Sequence, residues 1–179
     1  MTGETTSATS ASVSTSTSAS SSAAARPAPA DTPVLVLSGV NLGRLGKREL
    51  TVYGRASYDD LVAACEKTAA ELGLKIECRQ TDDETTMIRW LHEAADSGAA
   101  VVLNPGAWSH YSYALRDAAA ALTGPLIEVH LTQTAARESF RHHSVISPVA
   151  TGTITGLGFD SYLLALRAVA SRLAPTADL

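Results

Sequence analysis

Pro33-Val34-Leu35-Val36-Leu37-Ser38-Gly39 is the stretch on which the fold turns. A short apolar, β-branched run that stops at a glycine reads as a strand buried on both faces. Working outward, similar runs occupy 74–79, 99–104, 125–130 and 149–155. Between and after them lie helical patterns at 58–72, 84–97, 112–122, 135–140 and 161–173. Gly73, Gly98 and Gly124 stand where three of these helices should stop.

Strands that alternate with helices imply a parallel sheet covered on both faces by right-handed crossovers. The expected α/β architecture is an open doubly wound five-stranded parallel sheet, flavodoxin-like, with order 2-1-3-4-5. Ligands of such sheets bind beyond the carboxyl ends of the strands, where the order reverses. Strand one ends at Gly39-Val40-Asn41, strand three at Asn104-Pro105-Gly106 and strand four at Glu128-Val129-His130. Asn41 and Asn104 should therefore face each other across a crevice. Gln80 and Asp82, at the end of strand two, lie away from the switch and read as structural.

The chain of 179 residues is 45% hydrophobic, with a net charge of −4 and scattered cations. That suits one soluble domain without a membrane span and argues against nucleic acid as the main partner. A small anionic ligand remains compatible, because a site needs only a few local arginines. Cys65 and Cys78 have no metal-ligand spacing around them and read as small core hydrophobes. Nothing suggests a disulfide framework, so a cytoplasmic location is expected. Residues 1–31 are nearly all Ser, Thr and Ala before Arg26-Pro27-Ala28-Pro29-Ala30, and read as a disordered tail, with an organellar transit peptide as the alternative. The folded domain is expected over 32–174, with 175–179 a short C-terminal tail.

The loop after strand one, Gly39-Val40-Asn41-Leu42-Gly43-Arg44-Leu45-Gly46, lacks the G-x-G-x-x-G spacing, and Lys47 is followed by Arg48, so no P-loop exists. The segment 41–54 is long for a strand-to-helix loop and reads either as an ordinary solvated loop or as a mobile lid. Tyr53 tips the reading toward the lid. A phenol with a pKa of about 10 is a poor base at neutral pH, but a guanidinium such as Arg48 favours the phenolate and makes Tyr53 a usable base.

His130 ends strand four two residues after Glu128. Alternation puts both on one face, so Glu128 can orient the imidazole. A lone histidine there would more often be structural; the carboxylate reverses that balance. Leu131-Thr132-Gln133-Thr134 follow and open a short helix, whose free backbone N–H groups suit a carboxylate. Arg137 and Arg141 are spaced i, i+4 and share one face of that helix if it continues so far, with a solvated face as the competing reading for Arg137. His142-His143 has no supporting ligand spacing, so no metal is expected. Asn104, His110 and Ser112 are hydroxyl-reading types at the ligand edge, with Asp117 beyond them.

Together these stretches resemble type II 3-dehydroquinate dehydratase, the cofactor-independent dehydroquinase of the shikimate pathway. The resemblance is carried by Gly39-Val40-Asn41-Leu42-Gly43-Arg44-Leu45-Gly46-Lys47-Arg48-Glu49 with Val52-Tyr53-Gly54, by Cys78-Arg79-Gln80, and by Leu103-Asn104-Pro105-Gly106. Ala114-Leu115-Arg116-Asp117, Ile127-Glu128-Val129-His130 and Phe140-Arg141-His142-His143-Ser144 with Ser147-Pro148 complete it. It spans about 33–173.

The resemblance implies that Tyr53, activated by Arg48, removes a proton α to a ring ketone. It implies that Asn41 holds a water against the enolate, and that His130, supported by Glu128, protonates the departing hydroxyl. Asn104, His110 and Arg141 would bind substrate hydroxyls, and Leu131 and Thr132 its carboxylate. Asp117 would reach a neighbouring subunit's site within trimers that build a homododecamer, and no cofactor would be required. The chain departs from the family pattern at Val40 and Leu50, where proline is usual, and at Ala135, where a polar side chain is usual. These departures leave substrate identity more open than catalysis. An amino-substituted dehydroquinate or quinate catabolism stays an alternative, as does a non-catalytic ring-acid-binding paralogue.

Overall fold

The structure, a computed structural model, describes residues 32–47 and 55–174. Five parallel strands form one sheet in the order β2-β1-β3-β4-β5: β1 Val34–Ser38, β2 Ile76–Gln80, β3 Ala100–Asn104, β4 Leu126–His130 and β5 Gly152–Thr155. The helices are α1 Tyr58–Leu72, α2 Glu84–Ser97, α3 Tyr113–Ala120 and α4 Asp160–Leu173. The expected strand order is the observed one.

Alternation along the strands sorts the core into two layers. Val34, Val36, Ala100, Val102, Ile127 and Val129 face Leu61 and Cys65 of α1 and Tyr162, Leu166 and Val169 of α4. Leu35, Leu37, Val101, Leu103 and Leu126 point the other way, onto Met87 and Leu91 of α2 and Leu115 of α3. Each central strand is buried along its whole length, as near-continuous aliphatic runs require.

Local chemistry sets the helix ends. Ser57 and Asp60 form a reciprocal capping box on α1, and Asp83 accepts the Thr85 and Thr86 N–H groups at the start of α2. Gly73 and Gly98 take the left-handed C-cap conformation. Gly124 does not: α3 stops earlier, capped by Ala121. Gly124 is instead needed for close packing, because a Cβ there would collide with the Ala99 carbonyl.

Two further expectations are corrected. No α-helix covers 135–140; the chain makes short 3-10 turns at Thr134–Ala136 and Ser139–His142. The last strand begins at Gly152 rather than at 149, because Ser147–Val149 forms another 3-10 turn around Pro148. Cys65 is buried, whereas Cys78 is only partly so, and both thiols are free.

Candidate active site

The carboxyl ends of β1, β3 and β4 open onto a cavity of about 250 Å³. Its wall brings together Asn41, Asn104, His110, His130, Leu131, Thr132 and Arg141, seven of the residues singled out from sequence. Val40, Leu42, Leu45 and Arg137 also line it. The volume suits a small ligand rather than a dinucleotide.

Glu128 and His130 sit on one face of β4. His130 Nε2 donates to Glu128 Oε1 at 2.8 Å, and Glu128 has no exposed surface. A buried carboxylate must be satisfied by donors. Ser144 Oγ donates to Glu128 Oε1 at 2.7 Å, and Ser147 Oγ donates to Oε2. Burial alone would raise the Glu128 pKa; the three hydrogen bonds and the facing imidazole outweigh it and hold the carboxyl below its usual range. The Nε2–H bond leaves His130 Nδ1 as the nitrogen available for chemistry.

His110 is held differently. Its Nδ1 lies 2.9 Å from the His143 carbonyl, which can only accept, so Nδ1 carries the proton. Burial lowers its pKa, against the opposing effect of that carbonyl, and favours the neutral ring. Its Nε2 is then an acceptor for a ligand hydroxyl. Asn104 is buried at the end of β3, with Oδ1 accepting the Gly106 N–H at 3.1 Å. That bond fixes which way the amide faces.

The chain after β4 supplies the charged rim. Arg141 Nε donates to Glu138 Oε2 at 2.8 Å, and Arg137 Nε lies 3.3 Å from the same oxygen. Its own backbone N–H and the Arg141 guanidinium press the Glu138 pKa down to about 2. Two cations against one carboxylate leave this rim positive, as an anionic ligand needs.

Arg137 was read with a solvated face as the rival account; the structure puts it on the cavity wall. The i, i+4 argument failed because the segment is not α-helical. Likewise, a three-residue 3-10 turn after Thr132 provides no long helix dipole, so any carboxylate recognition there falls to local N–H groups and to the arginines. His142 and His143 do not act as a pair: His142 Nε2 contacts the Arg137 carbonyl, while His143 offers its own carbonyl to His110. Ser144, Ser147 and Glu138 were not singled out as site residues. Their link to Glu128 or to the arginines is visible only once the chain folds back.

Asp117 does not reach this cavity. It is exposed on α3 and ion-paired with Arg116 at 3.2 Å. Arg48 and Tyr53 lie outside the described residues, as does Leu50. Of the proposed lid, the described part is anchored: Leu42 and Leu45 are buried in the core around the 3-10 turn Leu42–Arg44.

A family profile described as dehydroquinase class II matches residues 32–170. The chain belongs to the class II dehydroquinase family. Among its relatives in that family, the 3-dehydroquinate dehydratase of Salinispora tropica is 62% identical over 139 residues, covering 78% of this chain and 97% of the relative. The 3-dehydroquinate dehydratase of Mycobacterium tuberculosis is 55% identical over 140 residues, covering 78% and 95%. The crystal structure of the type II dehydroquinase from Propionibacterium acnes matches with a TM-score of 0.77 at 54% identity, covering 78% of this chain and 97% of that one. The dehydroquinase match begins at Thr32, where the sequence leaves its Ser/Thr/Ala-rich stretch.

Proposed function

We propose that the protein is a type II 3-dehydroquinate dehydratase acting in the shikimate pathway. The single observation that carries the reading is the buried Glu128–His130 pair, whose imidazole lines a small, cationically rimmed cavity, in a chain of the dehydroquinase family.

Tyr53, its phenolate favoured by Arg48, takes the proton α to the ring ketone, and the electron pair moves onto the ketone oxygen as an enolate. A water held by Asn41 stabilises that charge. The enolate then collapses, the C–O bond at the β carbon breaks, and His130 delivers a proton so that the hydroxyl leaves as water. Glu128 holds the imidazole in place through the Nε2–H bond. Asn104, His110 and Arg141 take the substrate hydroxyls, and Leu131 and Thr132 take its carboxylate through backbone N–H groups. No cofactor enters this sequence.

The protein is further proposed to work in the cytoplasm as trimers assembled into a homododecamer, with Asp117 serving the neighbouring site. Support comes from α3, where Asp117 and Tyr113 are both exposed, and from Tyr111 just before it; large aromatics on a surface suit burial by another subunit. Among the described residues no helix is long and apolar enough to cross a membrane.

The test is direct. On adding 3-dehydroquinate to metal-free protein, the ultraviolet band of a conjugated enone should grow, and Tyr53→Phe should abolish nearly all of that growth. A wild-type protein that binds the compound without producing the enone would sink the proposal.

A further inference from the structure

Asn41 is the one non-glycine residue with a left-handed backbone among the described residues, at φ 69° and ψ 0°. Side chains crowd the backbone in that conformation, so it persists only where neighbours hold it. Here the holding group comes from the loop just after β2, a segment that the sequence reading treats as structural. The Asn41 N–H donates to Asp82 Oδ1 at 2.6 Å.

Three observations make this contact more than a chance surface bond. Gln80 Nε2 donates both to Asp82 Oδ1, at 3.2 Å, and to the Gly39 carbonyl, at 3.3 Å, so the end of β2 grips the chain on both sides of Val40. A Cβ at Gly43 would sit 2.8 Å from Gln80 Oε1, so the backbone beyond Asn41 presses on the same side chain. Asp82 is also released from the other task open to it: the cap of α2 is supplied by Asp83, its neighbour. Asp82 itself does not line the cavity, whereas Asn41 does.

We infer that Asp82 is a positioning residue, whose carboxylate fixes the left-handed turn that aims the Asn41 side chain into the cavity. In kinetic terms this rests on the dehydratase reading, since it is Asn41 that holds the enolate-stabilising water. In structural terms it stands on the turn alone.

The experiment compares Asp82→Ala, Asp82→Asn, Asn41→Ala and the Asp82→Ala/Asn41→Ala double variant in the full chain. Asp82→Ala should lower kcat about 10- to 100-fold with little change in KM, because misplacing a group by an ångström costs that much. Asp82→Asn keeps an oxygen for the Asn41 N–H and should recover most of the rate. Removing Asp82 in the Asn41→Ala background should cost nothing further. Hydrogen–deuterium exchange at the Asn41 amide should quicken in Asp82→Ala and not in Asp82→Asn. Wild-type kcat in Asp82→Ala, or losses that multiply in the double variant, would overturn the assignment. If the wild-type protein shows no dehydration at all, it is the dehydratase reading that fails. The exchange measurement then decides alone, and unchanged protection of Asn41 in Asp82→Ala defeats the positioning role.

Discussion

The rings of His110 and His130 lie nearly parallel, 15° apart in plane with centroids 6.5 Å apart, on the wall of one cavity. Their hydrogen bonds differ in kind. His130 donates to a buried carboxylate, whereas His110 leans on a backbone carbonyl and is pushed toward the neutral ring by burial. In the proposed mechanism these neighbouring imidazoles divide the work, His130 as proton donor and His110 as hydroxyl acceptor. His130→Ala should lower kcat by about 10²–10⁴-fold, the usual cost of losing a general acid. His110→Ala should chiefly raise KM. Steady-state kinetics on both variants decide it, and a kcat loss of equal size in each would contradict the division of roles.

Glu128 makes stability depend on pH in a definite direction. Its carboxyl is held below the ordinary range in the folded state, so its contribution is complete above about pH 4.3, the unfolded value. It is lost as pH falls through the lower folded value. Glu128→Gln should therefore be less stable than wild type at neutral pH and show a shallower fall in stability on acidification. Urea unfolding at a series of pH values reads this, and parallel curves for the two proteins would rule it out.

Ser144 and Ser147 matter through the same carboxylate. Replacing either with alanine strips a donor from a fully buried acid, a change that costs roughly 1–3 kcal/mol. It should also raise the Glu128 pKa, since the hydrogen bonds are among the effects that lower it. The expected result is a lower melting temperature together with an upward move of the acidic limb of kcat/KM. A melting temperature that falls while the pH profile stays fixed would confine these serines to packing.

Asp117 tests the assembly. Its carboxylate pairs with Arg116 on an exposed helix and lies away from its own cavity, so a role in catalysis requires a second subunit. Asp117→Ala should lose activity, and dilution should lower its specific activity further while wild type holds constant. Mixed with Tyr53→Phe under subunit exchange, it should yield hybrids more active than either parent, because some interfaces join an intact base to an intact donor. Hybrids that form by mass yet gain no activity would show that Asp117 does not act across subunits.

Much of this is legible in the sequence. Helices α1 and α2 run over the expected residues because capping side chains and apolar spacing agree there. The Glu128–His130 pair followed from strand alternation alone. Legibility failed over 131–149, where Arg137 and Arg141 share a helical spacing by coincidence and the backbone turns three times in 3-10 form. The serines that satisfy Glu128 lie 16 and 19 residues away in the chain, and no local pattern announces such a contact. Asp82 reads as structural for a topological reason that holds for β2, which it follows, but not for its side chain.

The two loops at the switch point are fastened together at their base. The Gly39 N–H donates to the Asn104 carbonyl at 2.8 Å, and any side chain at Gly39 would meet the Pro105 carbonyl at 2.8 Å and the Trp108 ring at 2.9 Å. That wall has no slack, so the crevice cannot widen there to accommodate a bulkier guest. Among the described residues, room for a different ring substituent lies on the opposite bank, within 131–141, where 3-10 turns carry no sheet register to preserve. Of these two banks, selectivity is therefore adjustable on the second: libraries varied at Thr132, Thr134 and Arg137 should yield altered substrate preference, whereas libraries at 39 and 104–106 should yield mostly misfolded protein.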